Sequence, residues 1–154
     1  MVSCPANICS LFDQLLLYDN DDVNRKIAIK VIEARKKNRA LEQVKKDGME
    51  LVNLEKYQDD KDIVMAAVTE NGWALEYASR ELQADRGIVR AAVTQNGKVL
   101  EYASKELQRD KDIVTVAVTN QGWAIGYASK KLRRDKKLVM IAVTNYGNAL
   151  WCVA

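Results

Sequence analysis

A chain of 154 residues with 48% hydrophobic and 29% charged residues fits one ordinary folded domain with a real core, and it is too apolar to be disordered. Its formal charge of +3 is small, and it has no histidine, which removes the commonest metal ligand and the commonest general acid or base near neutral pH. No apolar run approaches the ~18 residues of a membrane helix, and a single proline with seven glycines favours helices over a strand-rich fold.

Residues 1–17 have no basic segment ahead of their apolar residues, so they do not read as a signal peptide. Cys4, Cys9 and Cys152 are odd in number, match no zinc spacing and read as reduced thiols. These features predict a cytoplasmic protein, or one delivered into a host cytosol if it acts as an effector, with no membrane span, metal or cofactor. Pro5 suits the first turn of a helix whose apolar stripe is Ile8, Leu11, Phe12 and Leu15. Asp21 or Asp22 caps a further helix running to about Lys37. Residues 39–55 align at an offset of 24 with the sequence that follows, Val44, Gly48, Leu51 and Leu54 matching Val68, Gly72, Leu75 and Ala78. Glu42, Lys45 and Lys46 replace apolar residues there, as a polar capping repeat requires. Residues 1–59 are thus expected to form an N-terminal helical cap, with a degenerate repeat at 39–59.

From Asp60 the chain is periodic. Asp60, Asp85, Asp110 and Asp135 recur every 25 residues, with Gly72, Gly97, Gly122 and Gly147 in step. A fixed period of this size marks a repeat architecture. Stretches such as Ile113 to Thr119 are β-prone in isolation. Comparison of the copies decides for helix: the slots of Val64, Ala67 and Val68 never vary, and their i, i+3, i+4 spacing is a helix face. The slot of Met65 holds Met, Arg, Thr and Met and so faces water. Each aspartate is an N-cap. Each glycine is expected to supply a left-handed residue that ends the first helix. A second helix follows from about Ala74 to Gln83, with Leu75, Ala78 and Leu82 inward. The predicted fold is an all-α solenoid of stacked helix–turn–helix repeats, with four tandem copies over 60–154 and the last incomplete. The period excludes tetratricopeptide, ankyrin and HEAT arrays, and the leucine ladder of leucine-rich repeats is missing.

The fourth copy becomes apolar at its end, where Leu150, Trp151 and Val153 stand. Trp151 occupies the slot of Glu76, Glu101 and Gly126. Three accounts stay open: a longer array, a homo-oligomer formed through this end, or an end folded back on its own body.

The unit, for example Asp110-Lys111-Asp112-Ile113-Val114 through Asn120-Gln121-Gly122-Trp123-Ala124-Ile125-Gly126-Tyr127-Ala128-Ser129, resembles a short repeat family known as domain of unknown function 4116. The resemblance covers 60–154 well and 39–59 weakly, and it fails where Tyr-Ala-Ser becomes Cys152-Val153-Ala154. It implies tandem α-helical repeats, often in proteins of amoeba-associated intracellular bacteria, protists and large viruses. It carries no catalytic residues to transfer.

A reactive site is singular, so a residue present in every copy is better explained by packing. This clears the repeated serines Ser79, Ser104 and Ser129 and the repeated tyrosines Tyr77, Tyr102 and Tyr127, and no catalytic residue is predicted. Function is expected where copies differ on an exposed face. The slot after each glycine holds Trp73, Lys98, Trp123 and Asn148. Layers 8–10 Å apart would set the two tryptophans roughly 20 Å apart in a row. Each indole either meets a ligand or packs back over its own second helix. Met65, Arg90, Thr115 and Met140, and Glu76, Glu101 and Gly126, are taken to extend the row. Lys130, Lys131, Arg133, Arg134, Lys136 and Lys137 make a basic patch, either for phosphate or an acidic partner or as a solvated turn at a helix C-terminus. The expected function is a non-catalytic binding module for a protein partner. The alternative is a nucleic-acid binder reading one nucleotide per repeat, against which Glu76 and Glu101 count.

Overall fold

The structure, a computed structural model, describes residues 22–146 and residue 149. The chain divides into two compact units, Met1–Arg39 and Ala40–Ala154. The helix predicted around Pro5 and all three cysteines lie outside the described residues. An α-helix spans Asp22–Lys46, nine residues past the expected stop at Lys37. Nothing there breaks it, because the basic run at 35–39 contains neither glycine nor proline and leads into Ala40 and Leu41. The second unit begins at Ala40 and includes residues 40–59.

In that unit α-helices of 10 residues each occupy Lys61–Glu70, Arg86–Gln95, Lys111–Asn120 and Lys136–Asn145. Each starts one residue after a repeat aspartate. One oxygen of that aspartate accepts from two amides of the first turn, as from Gly87 N at 2.8 Å and Ile88 N at 3.1 Å for Asp85. The other oxygen reaches the previous copy. Lys61 Nζ donates to Asp85 at 2.6 Å, Arg86 Nε to Asp110 at 3.1 Å, and Lys111 Nζ to Asp135 at 2.6 Å. Asp85, Asp110 and Asp135 therefore each cap their own helix and clamp the preceding copy. The bonded cations hold the carboxyls of Asp85, Asp110 and Asp135 below the usual range, and the first-turn amides add to the effect.

The predicted second α-helix is not formed. Its place is taken by 3₁₀ helices at Gly72–Tyr77, Gly97–Tyr102 and Gly122–Tyr127, followed by a break. Ala78 is extended (φ −69°, ψ 151°), and Ser79 Oγ then accepts from Leu82 N at 3.4 Å to start the short helix Arg80–Gln83. A serine that caps a new turn competes with continuing the old one. A glutamine near the end of each of the first two copies ties this arrangement together. Gln108 Nε2 donates to Leu100 O at 3.0 Å and Glu101 O at 3.2 Å, and its own carbonyl accepts from Ser129 N at 2.9 Å in the next copy. Gln83 repeats all three bonds.

The glycines are also corrected. No described glycine has a positive φ, so none supplies a left-handed turn. They are there because the next copy leaves no room. A Cβ on Gly72 would stand 2.7 Å from Ala92 O, and one on Gly97 only 2.2 Å from Ala117 O. Gly48, before the first full copy, meets Ala67 O in the same way, at 2.3 Å.

The first helices lie side by side in one layer and the 3₁₀ helices in a second, each 3₁₀ helix touching its own first helix and the next. Between the layers Val64, Ala67, Val68, Ala74 and Leu75 and their counterparts in the next two copies are buried. The same interior takes in Val44 and Leu51.

Candidate functional site

The 3₁₀ layer presents the variable slot as a connected row. Lys98 Nζ lies 5.7 Å from the Trp73 ring centre and 5.0 Å from that of Trp123, both within cation–π reach. The indoles are therefore within about 11 Å of each other, about half the separation expected from layer spacing. Trp73 reaches across to the next copy. It meets Tyr102 of the next copy edge-on, with centres 6.1 Å apart and planes at 67°. Burial first, then the Glu76 carboxylate bonded to it, push the Tyr102 hydroxyl up. The Lys98 amide is fixed as well, donating to Asn96 Oδ1 at 3.0 Å and to Gln121 Oε1 at 3.1 Å. Trp73 is half-buried against the interior, whereas Trp123 is 47% exposed.

Met65, Arg90 and Met140 are not part of this row; they belong to the layer of first helices. Arg90 is exposed and Met140 is 68% exposed. Met65 does not face water freely. It is half-buried and lies over Gly87 of the next copy, its Cε 4.0 Å from where a Cβ would stand. Leu150, Trp151 and Val153 lie outside the described residues.

The basic patch divides in two. Lys130, Lys131, Arg133 and Arg134 line an open groove of about 1360 Å³, which Lys105 and Arg109 of the preceding copy share. Lys136 and Lys137 instead open the helix Lys136–Asn145, at the end where the helix dipole disfavours cations. The C-terminal explanation for these two bases is thus corrected. In the slot of Gln83 and Gln108 stands Arg133, whose Nε is buried without a hydrogen-bond partner. Sequence reasoning missed the glutamine link and the ion-pair ladder. A base after every aspartate, at a helix end that disfavours it, was the available signal.

Among the described residues no group of acids, cysteines or histidines could hold a metal ion, and no helix is long and apolar enough to cross a membrane. Fold and surface together define a tandem helical-repeat protein whose copies share an interior and differ on the outside. The chain belongs to the family described as Domain of unknown function (DUF4116), whose model matches residues 24–83, 60–108, 85–133 and 110–154. The last three matches start one 25-residue period apart, at 60, 85 and 110, and each overlaps the next, so the family unit spans about two copies. No curated protein and no solved structure matches the chain.

Proposed function

We propose that this chain is a non-catalytic binding module that docks a segment of a protein partner on its 3₁₀ layer, with Trp123 as the main anchor. The observation that carries the reading is the preassembled row Trp73–Lys98–Trp123. The half-exposed Trp123 indole has an ammonium over its ring, and the lysine that carries it has its backbone amide held by Asn96 and Gln121. Large aromatics dominate binding hot spots because they bury much area with few rotatable bonds. An anchor that is already ordered loses little entropy on binding.

The test is selection of binders from a random-peptide library on the wild-type chain, then affinity measurement on variants. Trp123→Ala is expected to weaken the selected peptides by about 2 kcal/mol, the size of a hot-spot loss. Its stability should change by less than about 1 kcal/mol, since half of the side chain is in water already. Selected peptides that bind Trp123→Ala and wild type equally would remove the row from the site.

A further inference from the structure

We infer that the groove lined by Lys130, Lys131, Arg133 and Arg134 takes an acidic segment of that same partner, adjoining the part that covers Trp123. The partner class rests on the reading of the 3₁₀ layer given above; the preference for acid rests on the groove.

Corresponding slots show how local the change is. The first copy holds Glu76, Arg80, Glu81, Gln83 and Ala84, with a formal charge of −1. The second holds Glu101, Lys105, Glu106, Gln108 and Arg109, with a charge of 0. The third holds Gly126, Lys130, Lys131, Arg133 and Arg134, with a charge of +4. The first two copies show what the fold accepts, so packing does not call for four bases in the third. At one slot packing opposes them: Gln83 and Gln108 satisfy two carbonyls each, whereas Arg133 leaves a buried Nε without a partner. Like charges crowded together without a ligand also repel.

The arrangement selects among anions. A nucleic-acid strand that tracks the stack needs bases in successive copies. Here they crowd into one groove between two adjacent copies, which Glu101 also lines, and the first copy holds glutamates in the matching slots. A short run of Asp and Glu side chains matches that extent. Continuity with the aromatic row follows from geometry. Trp123 and Gly126 are three residues apart in one 3₁₀ helix, and such residues are eclipsed on one face. Glycine in that slot replaces the glutamates of the earlier copies, removing an acid between the exposed indole and the bases.

The experiment measures fluorescence anisotropy of a labelled glutamate decapeptide on the full chain at low salt. The double variant Gly126→Glu with Lys131→Glu installs the residues of the second copy, Glu101 and Glu106, which this fold already carries. Binding is expected to weaken about tenfold in the double variant, and Lys131→Glu alone to give about threefold. Arg80→Glu, in the first copy, should stay within about twofold of wild type. Equal affinity of wild type and double variant overturns the inference, as does an equal loss in Arg80→Glu. A single-stranded oligouridylate that binds wild type more tightly than the decapeptide, and is lost in the double variant, replaces the peptide with RNA. Trp123→Ala should leave decapeptide binding within about twofold, so the groove and the aromatic row fail separately.

Discussion

Gly97→Ala separates two explanations of the repeat glycine. If the residue were needed for a left-handed turn, alanine would cost about 1–2 kcal/mol, and asparagine, which enters that region more readily, would cost less. The structure gives a different order. The added Cβ would stand 2.2 Å from Ala117 O and 3.0 Å from Ala117 C, about 0.8 Å inside the closest approach that Cβ atoms show. The obstacle is backbone. Ala117 O is also the acceptor that closes its helix, taking Gln121 N at 2.8 Å, and Ala117 is fully buried. Relief requires the second and third copies to part, which puts the cost at or above the upper end of overpacking, about 3 kcal/mol. Asparagine, being larger, should cost more than alanine. Gly87→Ala is the internal control, because Asp62, Asp112 and Lys137 already place side chains in its slot; it should gain about 0.5 kcal/mol. Urea unfolding followed by circular dichroism reads all three. A milder loss for Gly97→Asn than for Gly97→Ala would refute close approach as the reason for glycine.

Two further outcomes follow from the hydrogen bonds. The carboxyls of Asp85 and Asp110 are lowered by Lys61 and Arg86 respectively, so the stability they contribute is complete above about pH 4 and is lost as pH falls through their lower folded values. Asp85→Asn keeps a capping side chain but cannot titrate; its melting temperature should fall less steeply than wild type between about pH 4 and pH 2. Gln108→Ala removes the donor shared by Leu100 O and Glu101 O and should cost about 1–3 kcal/mol, while Arg133→Gln, which restores that donor in the third copy and removes a buried unpartnered nitrogen, should gain about 1 kcal/mol in the same urea titration.

The first helices were legible because four copies of one helix face expose the 3.6-residue period directly. Ala67 and its equivalents Ala92, Ala117 and Ala142 could not all stay alanine on an exposed surface without cause, and all four are fully buried. The second element was misread because inward residues such as Leu75 and Ala78 fit α spacing. In the first two copies a serine cap and a glutamine side chain reaching back eight residues support the 3₁₀ helix and the break, and neither leaves a hydrophobic period. The glycine was misread because sequence records that a side chain is forbidden, not whether dihedral strain or a neighbouring carbonyl forbids it. Of the proposed site, Trp73, Lys98 and Trp123 were grouped by slot identity alone. Met65 and Arg90 were added from the first helix, and they stand in the layer of first helices.

The charge pattern of the later copies is hard to explain by stability. Arg86 bridges Asp110 and Asp112 at once, with Nη2 2.8 Å from Asp112. One copy later Lys111 keeps the first partner, Asp135, but the slot of Asp112 holds Lys137. That lysine opposes the helix dipole and sits near another cation, where an acid would favour both. Arg133 and Lys131 depart from the earlier copies in the same electrical direction, as does the loss of a glutamate at Gly126. The changes that line the groove each forgo an interaction the fold makes elsewhere and move the charge one way, which supports the proposed acidic segment. Arg133→Gln tests the trade: it should raise stability while weakening capture of the glutamate decapeptide. A loss of both would show that Arg133 serves the fold, and a gain of both would show that it does not hold the anion.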